Sequence, residues 1–113
     1  MITTITELKC KNYWKLPGMI LISMRLANQA KSTPGNISTY IKAKWLKAYT
    51  LTSWENTDAL KTFRNSGLHK QAMKTMFDTA SAFRFKTLEV EKQISWEKGF
   101  SEIEKVEMKY TRA

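Results

Sequence analysis

Residues 54–73 constrain the fold more than any other part of the chain, because a strand end, a short helix, a glycine and a second helix follow one another without a linker. Residues 48–54 alternate in the period-two pattern of a strand and are rich in threonine and aromatic side chains. Asn56 or Thr57 then offers a side-chain oxygen that can cap a helix, and Gly67 can adopt the left-handed conformation that ends one. The stretch therefore predicts a strand followed by two consecutive helices.

The second helix of this stretch is predicted to present one continuous apolar face that begins with the only histidine of the chain. Its positions i, i+3, i+4, i+7, i+8 and i+11 are His69, Ala72, Met73, Met76, Phe77 and Ala80. Histidine is the side chain whose unperturbed pKa lies near neutrality, so His69 is the candidate proton carrier or haem ligand. The competing interpretation is structural, with the ring capping or packing at the helix start.

The rest of the chain completes one domain that spans residues 1–113. Alternation predicts strands at residues 1–9, 37–43 and 83–88, and helical spacing predicts helices at residues 17–30 and about 95–107, the last followed by a frayed tail. The order β-α-β-β-α-β with a terminal helix is that of the ferredoxin-like split βαβ arrangement. This is an α+β fold with a four-stranded antiparallel sheet and helices on one face.

Large aromatic side chains occur in the predicted strands and in the turn between them, namely Tyr40, Trp45, Tyr49 and Trp54. Helices on one side leave the other face of such a sheet uncovered. The chain therefore predicts that this face meets a partner, a ligand or both. A homodimer that buries these aromatic residues is the expected assembly.

Nineteen Lys and Arg against ten Asp and Glu give the chain a formal net charge of +9, which attracts polyanions. The lysines occur singly and form no basic run, as on the solvated surface of a basic protein. Residues 44–50 also lack the glycine–aromatic pattern of an RNA-recognition module. No specific nucleic-acid partner is therefore expected.

Several other classes are excluded by what the sequence lacks. The single cysteine, Cys10, cannot form a disulfide within the chain, and the N-terminus resembles a strand and not a signal peptide, so a cytoplasmic protein is expected. The longest apolar run, residues 19–26, is too short to cross a bilayer, so no membrane partner is expected. One histidine and one cysteine cannot supply a zinc site, so no metal is expected.

A family resemblance is carried by residues 54–60, Phe63, residues 65–69 and residues 72–73. Together they resemble the strand–helix–helix segment of the dimeric α+β barrel superfamily of antibiotic-biosynthesis-monooxygenase-like proteins. The Ser66-Gly67-Leu68-His69 step followed by Ala72-Met73 is similar to the small proteins related to spheroidene monooxygenase. The topology matches over nearly the whole chain, whereas the motif is confined to residues 54–73.

The resemblance implies a homodimer whose open sheet faces close into a barrel, with a pocket between sheet and helices for a small apolar or aromatic molecule. His69 is the predicted catalytic residue, because it is the only histidine and shares the inward face of Met73, and the predicted ligand pocket contains Phe63, Met73, Trp54, Tyr40 and Phe85. In the haem-degrading branch, a tryptophan and an axial histidine correspond to Phe63 and Met73, so those haem residues are not retained. The cofactor is left open, because quinol-type monooxygenases of the superfamily use neither metal nor flavin.

Three functional hypotheses follow. The first is a monooxygenase-like protein that acts on or binds a small apolar or aromatic molecule. The second is a non-catalytic ligand-binding or stress protein on the same fold, and the third is a single-stranded RNA binder that stacks bases on a sheet. Fold alone does not decide between them.

Overall fold

The computed structural model describes residues 1–110, apart from the side chains of Leu68 and of residues 75–78. The strands are β1 (Ile2–Cys10), β2 (Asn36–Lys44), β3 (Lys47–Trp54), β4 (Ala80–Glu89) and β5 (Lys109–Tyr110). The helices are α1 (Leu16–Ser32), α2 (Thr57–Arg64), α3 (Gly67–Thr79) and α4 (Trp96–Ile103), and a 3-10 turn at Tyr13–Lys15 precedes α1. The strands form one antiparallel sheet in the order β2-β3-β1-β4-β5. The predicted α+β fold is confirmed.

The local predictions hold with three corrections. Asn56 caps α2, as its side chain predicts, and Ser95 caps α4. Gly67 does not end α2 in a left-handed conformation, because Asn65 closes that helix and Gly67 is the first residue of α3. Ala80 is the first residue of β4 and not part of a helix, and the predicted frayed tail contains β5, which pairs with β4. The predicted helix positions Met76 and Phe77 lie outside the described side chains.

Helices α1, α2 and α3 pack on one face of the sheet, which we call the cavity face. At one end of this face, Trp54 and Phe63 form a buried cluster with residues of α1 and α2. At the other end, Cys10, Met19 and Ala48 form a second cluster. The helices are thus held at both ends of the sheet, which leaves the middle of the cavity face free to form a pocket.

Helix α4 packs on the opposite face of the sheet, which we call the α4 face. Its Ile103 packs against Ile5 and Leu51, and the ring of Phe100 lies 4.9 Å from that of Tyr49. Gly99 allows this approach, because an added Cβ would lie 3.0 Å from the Cδ1 of Ile5. The centre of this face is therefore covered within one chain.

The aromatic residues predicted to share one uncovered face do not share it. Trp54 lies on the cavity face and is fully buried, whereas Tyr49 is buried beneath α4 on the other face. Tyr40 pairs with Leu51 on the α4 face and keeps 49% of its surface exposed, and Trp45 lies in the β2–β3 turn. The prediction was wrong for two reasons. Tyr49 and Trp54 are five residues apart in β3, so the two-residue period puts them on opposite faces, and α4 covers the face that carries Tyr49.

Buried charges on the α4 face are paired. The Arg84 guanidinium forms an ion pair of 2.9 Å with the buried Glu7 carboxylate and also donates to the Val106 carbonyl. Burial and the neighbouring Glu7 carboxylate raise the pKa of Tyr49 to about 12. These contacts join β1, β3 and β4 to the segment that follows α4.

A second group of charges holds α4 to the sheet. The Glu102 carboxylate accepts from Lys86 at 2.8 Å, Lys98 at 3.1 Å and Lys105 at 3.3 Å. Hydrogen bonds from Lys86 and then from Lys98 and Lys105 lower the pKa of Glu102 to about 2. Because Lys86 belongs to β4, this carboxylate links the helix directly to the strand.

The turn before β2 depends on a glycine. Gly35 has a φ of +91°, and a Cβ on this residue would lie 2.5 Å from the Cβ of Ala59 in α2. Only glycine meets both conditions, so Gly35 permits the close approach that seats α2 on the cavity face. Among the described residues, none of the helices combines the length and the apolar character needed to span a membrane.

Candidate functional site

A cavity of about 350 Å³ lies between the cavity face of the sheet and helices α1–α3. Its floor is a patch of threonines, because Thr4 pairs with Thr52 and Thr6 pairs with Thr50 in the β1–β3 register. The residues between them point to the α4 face, as the two-residue period requires. Its walls are mostly apolar and are formed by Leu26, Ala27, Leu60, Phe63, Phe83 and Phe85. A volume of this size is typical of a small-molecule site.

The hydroxyl groups of this floor are available to a ligand. Thr4 is bonded to Thr87, with 3.0 Å between the two Oγ1 atoms. Within the described part of the chain, the hydroxyls of Thr6, Thr50 and Thr52 have no hydrogen-bond partner. Each hydroxyl can donate one hydrogen bond and accept others. A bound molecule with oxygen atoms over this floor would supply the missing hydrogen-bond partners of these hydroxyls.

His69 lies on the cavity wall and owes its position to the start of α3. The Ser66 hydroxyl accepts a hydrogen bond from the His69 backbone N–H at 3.2 Å. The imidazole packs edge-on against Phe63, with ring centroids 5.2 Å apart. Its ring nitrogens make no hydrogen bond to the residues that the structure describes. The backbone of His69, and not its ring, therefore takes part in capping the helix.

The charge state of His69 follows from its surroundings. Partial burial, and then the positive charge of Arg64, lower the pKa of His69 below its usual 6.5. At neutral pH the imidazole is therefore uncharged and has one nitrogen free to accept a proton. The ring lines the cavity, so this nitrogen is within reach of a bound molecule.

Arg64 is a cavity residue that the sequence interpretation missed. Its guanidinium donates to the Thr87 hydroxyl at 3.4 Å and lies 5.9 Å from the centre of the Phe85 ring. None of the described residues that line the cavity is acidic, so the site has a fixed positive charge. The spacing of Leu60, Phe63 and Arg64 at i, i+3 and i+4 could have predicted this position, because it places all three on one side of α2.

The predicted pocket residues are only partly brought together. Phe63, Met73 and Phe85 line the cavity along with His69. Trp54 does not line it, because its indole stacks behind Phe63 at 5.2 Å and is fully buried. Tyr40 lies on the α4 face, on the other side of the sheet from the cavity.

The residues present do not fit the haem arrangement of the haem-degrading branch. The corresponding positions, Phe63 and Met73, both line the cavity, but neither carries the imidazole nitrogen that this branch uses on iron. Among the described residues, no three His, Cys, Asp or Glu side chains are grouped so that they could hold a metal ion.

Solved structures of known proteins match this chain in fold, whereas comparisons of sequence find no match. No model of a known protein family matches the chain, and no curated protein sequence matches it. A candidate antibiotic biosynthesis monooxygenase from Deinococcus radiodurans superposes with a TM-score of 0.76 at 12% identity, over 84% of this chain and 97% of that one. SnoaB, a cofactor-independent oxygenase from Streptomyces nogalater, superposes with a TM-score of 0.70 at 9% identity, over 82% and 95%.

A protein from Bacteroides thetaiotaomicron that is suggested to be an oxidoreductase also matches, with a TM-score of 0.71 at 13% identity over 79% of this chain and 96% of that one. At such low identity the similarity concerns the fold alone. The chain has the fold of these antibiotic-biosynthesis-monooxygenase-like structures, so the resemblance predicted from the sequence is confirmed for the fold. The nearer relation to spheroidene monooxygenase stays a prediction.

Proposed function

We propose that this protein is a monooxygenase-like oxidoreductase that binds a small aromatic molecule in the cavity and oxidises it with molecular oxygen. The observation that carries the proposal is an uncharged imidazole, His69, that faces an apolar cavity beside the guanidinium of Arg64. The names of the structural neighbours, which include a cofactor-independent oxygenase, support the same reaction class.

The first step assigned to the site is removal of a proton from the substrate. The free nitrogen of His69 accepts the proton from a phenolic hydroxyl or from an activated methylene group. Arg64 then stabilises the resulting anion, because it supplies a positive charge in a cavity without carboxylates. The aromatic walls of Phe63, Phe83 and Phe85 favour a planar substrate.

The oxidation balances without an external reductant if the substrate supplies all four electrons. A methylene group that loses two hydrogens and gains one oxygen atom becomes a carbonyl group, and the second oxygen atom leaves as water. The electron-rich anion is the species that transfers electrons to oxygen. Proton removal by His69 is therefore the step that the protein must promote.

The proposal is tested by oxygen consumption with two aromatic probes. The methylene group of 1,8-dihydroxyanthrone becomes a carbonyl group with release of water, whereas 1,4-dihydroxynaphthalene loses two electrons and two protons to form its quinone while oxygen is reduced to hydrogen peroxide. The wild-type protein is expected to consume oxygen and to form the quinone, which absorbance measures. His69→Gln is expected to lower the rate by about 100-fold or more, because it removes the proton acceptor. Tyr40→Phe, on the other face of the sheet, is the control and is expected to keep the rate.

Two results would contradict the proposal. If neither probe is oxidised but both bind, and a substitution in the cavity weakens that binding, the protein is a ligand-binding protein on this fold. If His69→Gln oxidises the probes at the wild-type rate, the imidazole is not the proton acceptor. Binding is measured separately, by quenching of tryptophan fluorescence, so that the two results are distinguished.

The proposed assembly is a homodimer. Half-exposed Tyr40 on the α4 face supports a contact there, and burial of such an aromatic side chain stabilises an interface by roughly 2 kcal/mol. Sedimentation velocity at micromolar concentration is the test, and a monomer under those conditions would exclude the dimer.

A further inference from the structure

The charge of this chain is divided very unevenly between its parts. Residues 8–54 contain eight basic residues and no acidic residue, so they carry +8 of the formal net charge of +9. The rest of the chain contains all ten acidic residues and is close to neutral. The end of β1, the 3-10 turn, α1, β2 and β3 therefore form a strongly basic part of the molecule.

Lysines of this basic part gather at one end of the sheet. Lys44 pairs with Lys47, and Lys47 pairs with Lys9, so three neighbouring strands place lysines side by side. Like charges directly opposite each other in a sheet are destabilising. Lys11 lies just beyond the end of β1, and Lys15 is the last residue of the 3-10 turn that leads to α1. The repulsion between these lysines lowers the stability of this end of the sheet, and contact with an anionic surface would reduce the repulsion.

Three aromatic side chains extend from the same end. Tyr13 is 60% exposed, Trp14 is 91% exposed and Trp45 is 69% exposed. The rings of Tyr13 and Trp45 are nearly perpendicular, with centroids 5.0 Å apart. We call these three residues, with the five lysines around them, the aromatic–lysine end.

The aromatic–lysine end is anchored to the fold and is not a loose loop. The Asn12 side chain accepts from the Trp14 backbone N–H at 3.0 Å, and the Cys10 N–H donates to the Leu46 carbonyl at 2.6 Å. Trp45 has a φ of 53°, an uncommon conformation for so bulky a residue. The two turns therefore hold large apolar rings in solvent at fixed positions.

The outer side of α1 extends this apolar surface. Leu21 and Met24 are both about half exposed, and they are three residues apart in α1, so they lie on one side of that helix. Exposed apolar residues joined to exposed aromatic ones form a surface that water solvates poorly.

We propose that the aromatic–lysine end docks on the surface of an anionic lipid bilayer, with its rings at the level of the headgroups. Tryptophan and tyrosine are suited to this position, because each has an apolar body and a polar tip. The lysines supply the attraction to anionic lipids. The expectation of no membrane partner rested on the lack of a spanning segment, and a surface contact needs none.

The geometry favours a bilayer over a single-stranded nucleic acid. Successive bases stack on aromatic faces that lie parallel, whereas the rings of Tyr13 and Trp45 are 84° apart. Leu21 and Met24 also offer nothing to a phosphate backbone, but they suit the apolar side of a headgroup layer. This inference does not depend on the proposed reaction in the cavity.

The test is cosedimentation of the full chain with vesicles of phosphatidylcholine alone and with vesicles of equal parts phosphatidylcholine and phosphatidylserine. Binding is expected to the anionic vesicles only, and to weaken as salt is added. The double substitution Lys11→Gln/Lys15→Gln is expected to weaken it by roughly fivefold for each lysine. Trp14→Ala is expected to weaken it by about tenfold.

Matched control variants distinguish binding by the aromatic–lysine end from attraction by the net positive charge of the whole protein. The pair Lys61→Gln/Lys92→Gln changes the net charge equally and is expected to keep most of the binding, because both residues lie outside the basic part. Ile37→Thr removes an exposed apolar side chain at the opposite end of β2 and is expected to leave binding unchanged.

Several results would overturn the inference. They are equal loss of binding in the two lysine pairs, binding that Trp14→Ala leaves intact, or no binding to the anionic vesicles. Tighter binding to a single-stranded RNA oligonucleotide than to the vesicles would identify a nucleic-acid site instead. Dissociation of a dimer by Trp14→Ala, measured by sedimentation, would identify this end as a contact between two copies.

Discussion

The two faces of the sheet differ in how many of their polar side chains have a hydrogen-bond partner. On the α4 face, Glu7 is paired with Arg84, and the Thr3 hydroxyl is bonded to Ser53. On the cavity face, the hydroxyls of Thr50 and Thr52 have no partner among the described residues. The buried groups of the α4 face are paired and hold the fold, whereas the half-buried hydroxyls of Thr50 and Thr52 line the cavity and are available to a ligand.

The largest expected effect concerns the buried ion pair of the α4 face. Arg84→Met would leave the Glu7 carboxylate buried without its partner and is expected to destabilise the protein by about 3 kcal/mol. Urea denaturation measures this loss. The control is Arg25→Met on the exposed side of α1, which is expected to change stability by less than about 0.5 kcal/mol. Equal effects of both substitutions would show that the Arg84–Glu7 ion pair does not stabilise the fold.

A smaller effect is expected at Glu102, and it should depend on pH. Its folded-state pKa of about 2 lies below the usual 4.5, so its stabilising contribution is present above pH 4.5 and is lost as pH falls towards 2. Glu102→Gln should therefore lower the melting temperature at neutral pH and approach the wild-type value near pH 2. Glu107→Gln, on an exposed carboxylate, is the control. If the melting-temperature difference between Glu102→Gln and the wild type does not change with pH, the salt bridges of Glu102 do not contribute to stability.

The same substitution on the two faces compares them directly. Thr3→Val on the α4 face removes a buried hydrogen bond and is expected to cost about 1 kcal/mol. Thr52→Val on the cavity face removes a hydroxyl without a described partner, and stability is expected to change by less than about 0.5 kcal/mol. In binding assays with 1,4-dihydroxynaphthalene, only Thr52→Val should weaken the affinity. The reverse order in either measurement would break the comparison.

The smallest effect is the pH dependence contributed by His69. Its folded-state pKa is lowered, so the unfolded chain binds a proton first as pH falls through 6.5, and the folded state loses stability there. The loss stops once the folded pKa is passed. His69→Gln is expected to remove this slope, which begins as pH falls through 6.5, and urea midpoints measured over a pH series test it. A wild-type slope of opposite sign would mean that the ring gains a charge partner on folding.

Sequence patterns predicted the fold and several residues of the site. Alternation located β1 to β4, and helical spacing placed Phe63, His69 and Met73 on sides that face the cavity. Two cavity contributions were missed. Arg64 looks like an ordinary solvated cation at the end of a helix, and threonines in strands are expected for their β-propensity alone.

The largest error concerned the far side of the sheet. Trp96, Phe100 and Ile103 lie at i, i+4 and i+7 and so share one face of α4, but the sequence did not indicate which surface that face would cover. It packs over Ile5 and Leu51, so Tyr49 is buried within the chain. The aromatic content of the strands was therefore a poor guide to an exposed interface.

The sequence by itself determined the elements, their order and the side of each strand on which a residue lies, because local backbone sterics and the periods of helix and strand are properties of neighbouring residues. Only the tertiary structure decided that Trp54 lies behind Phe63 and that Arg64 lies over Phe85. It also decided which polar groups found partners. Those outcomes depend on contacts between residues distant in the chain, and the packing of whole elements sets such contacts.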